Sequence, residues 1–195
     1  QQLHSGKWII FHEIIGKDMG AIRFADILKK DISKNQWDKL TFKFIGDPAG
    51  NQMAQVSEHT PFMMLRAAGI NAYPAPSNDI SVRVEAVESV INRMTDGFPS
   101  LSVSPTCTNL ISGFEGGYQY KRMYYMGSER YEEKPDKNRF SHCHDALQYA
   151  FLGGGEGRKV MLGSQRANVT VVERTSNPFD RMKRRNSRFN RKRAI

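Results

Sequence analysis

Leu40-Thr41-Phe42-Lys43-Phe44-Ile45-Gly46-Asp47-Pro48-Ala49-Gly50 runs an apolar strand into an acidic turn. Leu40, Phe42 and Phe44 alternate with Thr41 and Lys43, the period of two that predicts a strand over residues 40–45. Gly46 ends it and Pro48-Ala49-Gly50 lifts the chain away, so Asp47 stands at the strand's end. A sheet holds such a carboxylate rigidly at its edge, as a metal ligand requires. The same residue reads equally as the start of a turn or the cap of a following helix, a common place for Asp before Pro.

Working outward, about a hundred residues on, Ser141-His142-Cys143-His144-Asp145-Ala146-Leu147-Gln148-Tyr149-Ala150 carries a His-rich turn into a helix expected over residues 142–152. Asp145 suits a helix N-terminus, where it accepts backbone N–H bonds and complements the dipole. Imidazoles beside a carboxylate ligate metal, donate to phosphate or position an attacking water. Oxygen ligands favour Mg2+ or Mn2+, and two such ions about 4 Å apart stabilise both oxygens of an in-line displacement at phosphorus. Such sites normally use three or more carboxylates. Glu13, Asp18 and Asp79 are the spare candidates, each read as a surface charge. A structural zinc site from His142, Cys143, His144 and Cys107 matches no finger or ribbon spacing.

The remaining segments alternate strand and helix. Residues 7–15 form a β-branched and aromatic strand ended by Gly16. Ile22, Phe24, Ala25, Ile27, Leu28 and Ile32 mark an amphipathic helix. A helix over 60–68 starts at Pro61 and ends at Gly69, and a short strand covers 70–73. After the Pro74-Ala75-Pro76-Ser77-Asn78 loop comes a helix with an apolar face from Val82 to Met94, closed by Gly97. A brief strand at 101–103, a helix over 106–114, a basic and aromatic strand over 119–126 and a charged loop over 130–139 complete the order. The pattern predicts an α/β domain with a mixed sheet and no internal repeat. The domain is expected over residues 1–157, with the triple glycine at 153–155 marking its end.

Charge divides the chain in the same place. The net charge is +9, yet residues 158–195 hold twelve Lys/Arg against Glu173 and Asp180, and the rest is close to neutral. A basic tail, read as disordered, suits contact with nucleic acid or an acidic protein surface, or simply solvation. Two cysteines give no disulfide framework. No apolar run reaches the roughly 18 residues that cross a bilayer, so no membrane association is expected. The start at Gln1-Gln2 reads as a cut from a longer polypeptide, and Asn168-Val169-Thr170 as a chance sequon. The 153–159 segment lacks the spacing of a phosphate loop and follows a helix. No Ser-His-Asp arrangement stands out.

Together these segments resemble the C-terminal nuclease domain of the large terminase subunit of tailed bacteriophages. The matches are residues 46–50, the 74–78 loop followed by Arg83, Cys107-Thr108-Asn109-Leu110-Ile111, and Lys134-Pro135 followed by residues 142–149. The likeness covers roughly residues 8–152. It implies an RNase H-like mixed sheet flanked by helices, and a metal-dependent endonuclease that cuts concatemeric viral DNA during genome packaging. Carried over by motif, Asp47 and Asp145 ligate metal, and His142 stands beside the ions as ligand or proton handler. Arg83 falls on the helix flanking the cleft, for packing or phosphate contact. In the family an earlier strand bears a third carboxylate and leads by a hairpin into the 7–15 strand; that strand is missing from this sequence. No Walker motif is present.

The resemblance further implies double-stranded DNA, the portal protein and the small terminase subunit as partners, and the cytoplasm of the infected host as location. Arg181, Lys183, Arg184, Arg185, Arg188, Arg191, Lys192 and Arg193 are the expected tail contacts with DNA or portal. The expectation is thus a Mg2+- or Mn2+-dependent endonuclease, with two ions and little sequence preference. The alternative is a non-catalytic DNA- or portal-docking module that acts through the tail.

Overall fold

Only the last part of the 40–47 segment is laddered. In the computed structural model, β1 (Trp8–Ile10) and β2 (Phe44–Gly46) are three residues each, both shorter than the alternation predicts. Leu40 and Phe42 are exposed and have no ladder partner to hold them extended. The structure describes residues 1–52, 59–125 and 128–157. The chain divides into two units, Gln1–Ser164 and Gln165–Ile195, and every described residue belongs to the first. The tail residues from Arg181 to Arg193 lie outside the described residues.

The described unit is mixed α/β, with its strands paired two by two. After β1, α1 (Ala21–Lys34) buries Ala25. β2 leads through α2 (Pro61–Ala67) to β3 (Ala72–Pro74). Thr60 caps α2 by accepting from Met63 N at 3.2 Å, with Pro61 in the first turn as predicted. β2 and β3 run parallel, Phe44 opposite Ala72 and Gly46 opposite Pro74, and Ala75 N extends the ladder by donating to Gly46 O at 2.9 Å. α3 (Ile80–Ile91) follows. β1 pairs in parallel with β6 (Leu101–Val103).

Two expectations are corrected here. Gly97 does not close α3, which ends at Asn92. It lies in the turn between β4 (Met94–Thr95) and β5 (Phe98–Pro99), an antiparallel pair. Asp96 and Gly97 both have positive φ, 53° and 79°, as a two-residue hairpin turn of Asp-Gly type demands. The second correction concerns the charged loop at 130–139. Most of it belongs to β8 (Ser128–Pro135), antiparallel to β7 (Tyr120–Tyr125). Its charges are matched across the hairpin, Lys121 with Glu132 at 3.7 Å and Arg122 with Glu129 at 3.8 Å, so charge density conceals a strand.

α4 (Thr108–Ser112) passes into a π-turn at Gly113–Gly117, shorter than the helix predicted over 106–114. α5 (Ser141–Gly153) carries the second aspartate and is largely buried. Its Leu147, Phe151 and Leu152 join Val87 and Val90 of α3 and Trp8 in the main core, with the Trp8 and Phe151 rings 4.5 Å apart. Ala25, Phe62, Ile70 and Ala72 form a second cluster.

The triple glycine is a packing device, not a linker. A Cβ at Gly153 would collide with Ile45 and one at Gly154 with the Trp8 indole. Beyond them Glu156 is 1% exposed, accepting from Trp8 Nε1 at 3.0 Å and from both Arg93 Nη atoms at 3.0 Å.

A largely apolar groove of about 750 Å3 is lined by residues 9–16, by α1, by Phe42 and Phe44 and by His142, Ala146 and Ala150 of α5. Gln1 already lies beside β1: Ile9 N donates to Gln1 O at 2.8 Å, and Gln2 makes an antiparallel bridge to Trp8.

Candidate functional site

Asp47 sits where β2 gives way to a 3-10 turn, Pro48–Asn51, and its Oδ1 accepts from Ala49 N at 2.9 Å. It therefore caps that turn, and its carboxylate is also exposed. Asp145 is in the second turn of α5, past the helix N-terminus, so the capping explanation does not hold for it. Its two oxygens go to cations instead. Oδ1 pairs with Arg83 Nη2 and Oδ2 accepts from Lys137 Nζ at 2.6 Å.

Arg83 is buried, 6% exposed. Its guanidinium lies 4.3 Å over the Tyr149 ring, and its Nη1 donates to Asn78 Oδ1 at 3.3 Å. Asn78 Oδ1 also accepts from the Tyr149 hydroxyl at 2.6 Å. Arg83 Nε is buried without a partner. Burial pushes the Tyr149 phenol well above its ordinary value, helped by the nearby Asp47 carboxylate and by the charge of Asp145, against Arg83. Tyr149 thus stays a donor and couples to both aspartates. The parallel β2–β3 pair and α5 bring residues from the two ends of the described chain onto one polar cluster.

His142 is exposed, with the apolar groove as its setting. His144 is the buried imidazole: it stacks on Tyr118 at 4.6 Å, meets Phe114 edge-on at 4.7 Å, and burial holds its pKa below the ordinary 6.5. Gly113 admits it, since any Cβ there would overlap the ring. Cys107 is in the core and Cys143 is partly buried; burial raises both thiol pKa values. Among the described residues no group of three or more His, Cys, Asp or Glu is arranged to hold a metal ion.

Two spare carboxylates have structural roles. Glu13 takes the start of α4: Oε1 accepts from Asn109 N at 2.9 Å and Asn109 Nδ2 at 3.0 Å, and Oε2 from Leu110 N at 3.0 Å. Partial burial works against ionisation, and these bonds outweigh it, lowering its pKa. Asp79 caps α3, accepting from Ser81 N at 2.8 Å and Ser81 Oγ at 2.6 Å. Glu13 is thus more than a plain surface charge, whereas Asp79 is the exposed charge expected, placed as a cap. Asp18 is in the left-handed region, φ 50°.

Lys137, Tyr149 and the role of Asn78 escaped the sequence reading. Tyr149 follows Asp145 by four residues, one helical turn, which was the available signal. Lys137 was hidden in the supposed charged loop. Among the described residues no helix is long and apolar enough to cross a membrane. Comparison of the chain with protein-family models, curated proteins and solved structures gives no match.

Proposed function

We propose that this chain is a metal-dependent DNA endonuclease of RNase H-like fold, acting on double-stranded viral DNA during packaging in the host cytoplasm. The observation that carries this reading is the cluster of Asp145, Arg83, Tyr149 and Asn78, with Asp47 near enough to help raise the Tyr149 phenol. Mg2+ binds through one or two carboxylates and keeps several waters, so in this reading Asp47 and Asp145 would hold one hydrated ion once Lys137 gives up Asp145 Oδ2. A second ion needs a further carboxylate that the described residues do not bring to the cluster.

A bound ion would polarise the scissile phosphate and acidify an attacking water. The protein's own part is positioning. Arg83 holds Asp145 from one side, the 3-10 turn holds Asp47, and Lys137, 74% exposed, is free to leave Asp145 for a phosphate oxygen. His142 lies three residues before Asp145 and retains the role of proton handler in this reading.

A second reading is favoured by a specific observation: both Asp145 oxygens are already bonded to cations. A docking module that binds DNA or portal through its basic tail, with the small terminase subunit nearby, needs no free carboxylate. Supercoiled plasmid incubated with the chain in Mn2+, Mg2+ or EDTA separates the two. Metal-dependent nicking lost in Asp145→Ala and in Asp47→Ala supports the nuclease. Wild-type rates in both variants sink the assignment of these residues.

A further inference from the structure

A second cavity, about 200 Å3, opens between α3, the π-turn, the base of the β7–β8 hairpin and α5. Val84 and Val87 form one wall, and Tyr118, Tyr120 and Phe114 supply aromatic surface. Phe114 and Tyr120 are each 40% exposed, so the rim is open, while Gln148 and His144 at its depth are buried. Its size is below that of drug-sized pockets, about 300–1,000 Å3, and suits a single ring system.

The polar groups at depth are few and incompletely used. Gln148 is 3% exposed, and its Oε1 is buried with no partner. Its Nε2 donates to the Tyr118 hydroxyl at 3.0 Å, which leaves that hydroxyl's own proton free for a further acceptor. The buried Gln148 Oε1 and the Tyr118 hydroxyl thus offer an acceptor and a donor together, matching the mixed Watson–Crick edge that every nucleobase exposes once unpaired. An apolar ligand would leave both unmet, at a desolvation cost. His144, stacked behind Tyr118, stiffens that wall.

The cavity also has a neighbour that selects its ligand. His144 and Gln148 flank Asp145 on α5, and the Tyr118 phenol is close enough to feel Asp145, Arg83 and Lys137. Glu88 also lines the cavity, and the exposed Lys137, bonded to Asp145 one helical turn before Gln148, is the cation placed to meet the phosphate of a nucleotide whose base enters it. We propose that this cavity receives one unstacked nucleobase from a strand whose phosphate contacts Lys137. This deepens the proposed activity and rests on it: the substrate is DNA with an unpaired or extruded base near the cut, the usual device when a site must grip a base.

The test uses the whole chain in EDTA, so no cleavage is required. Anisotropy measures binding to three short duplexes: fully paired, carrying one bulged 2-aminopurine, and carrying an abasic bulge at the same position. The bulged base is expected to bind about tenfold more tightly than the other two, from aromatic stacking, with 2-aminopurine fluorescence changing on binding. Val84→Phe fills the cavity and should reduce the preference to about twofold or less without weakening the paired duplex. Phe114→Ala, at the exposed rim, tests the same wall without touching the core. Equal affinity for all three duplexes overturns the proposal, as does full preference in both variants. Abasic and base-bearing bulges binding alike would show that bending, not the base, is read. If plasmid is not cut but the bulged base is preferred, the cavity stands and the nuclease reading fails.

Discussion

Two arginine–carboxylate clusters tie α3 and its C-terminal end to the α5 segment, and they are built differently. At Arg93–Glu156 the carboxylate is 1% exposed and the bonds close on themselves. Arg93 Nη1 and Nη2 meet Glu156 Oε2 and Oε1, Nη2 also reaches Gly6 O at 2.7 Å, and Trp8 Nε1 completes the set. At Arg83–Asp145 the set is open. Arg83 Nε is buried unpartnered, Lys137 leads to solvent, and the Tyr149 hydroxyl donates to Asn78 rather than to either aspartate. A closed buried network holds a fold together, whereas an open one has capacity left for a ligand. The difference separates a structural ion pair from a candidate binding site when both look alike in sequence.

The comparison breaks most readily at the closed cluster. Glu156→Gln leaves Arg93 charged and partly buried beside a neutral amide, and should cost about 3–5 kcal/mol in urea unfolding. Trp8 fluorescence reports the same loss, because the indole bonds that carboxylate directly. Asp145→Asn should cost less, about 1–2 kcal/mol, since the Asp145 side chain is 16% exposed and within reach of water whereas that of Glu156 is 1% exposed, and Lys137 contributes little from solvent. Equal costs for the two changes would show that the Asp145 cluster is structural as well.

A third, smaller effect depends on pH. The Glu13 pKa lies below its ordinary 4.5 because Asn109 and Leu110 donate to it. The unfolded chain therefore takes up this proton at higher pH than the folded one. The stability from Glu13 is complete above about pH 4.5 and is lost as pH falls through its lower folded value. Glu13→Gln should flatten the acid limb of a melting-temperature profile in that window.

Helices were the legible part of the fold, because apolar spacing and caps are local: α1, α2 and α5 fall where Ala25, Thr60-Pro61 and the 142–152 pattern put them. Strands were not. The extended stretches at 7–15 and 40–45 carry β-type residues, yet only the part with a partner across the gap becomes ladder, and that partner is far away in sequence. β8 was lost because Lys121–Glu132 and Arg122–Glu129 are cross-strand matches that resemble loop charge when read along one segment. At the candidate site the acidic members were legible from strand-end and helix settings. Arg83 was singled out only through the family resemblance, and the roles of Lys137 and Tyr149 were not legible, since they acquire meaning only when α3, the 136–140 turn and α5 meet.

Lys137 gives the smallest effect on stability and the sharpest reading of the open cluster. Its side chain is 74% exposed while Asp145 is 16% exposed, so the bond between them competes with water on the lysine side. Lys137→Gln should change unfolding free energy by less than about 1 kcal/mol. The same change removes a positive charge from Asp145 Oδ2 and frees that oxygen. If Asp47 and Asp145 hold an ion, Mn2+ should raise the melting temperature of Lys137→Gln more than that of wild type, because no ammonium has to be displaced first. DNA affinity should fall at the same time, since the phosphate loses a cation. A variant with tighter Mn2+ binding and weaker DNA binding would place Lys137 between metal and phosphate. A variant that alters neither would leave the Lys137–Asp145 bond as an ordinary surface pair, with the open cluster no more functional than the closed one.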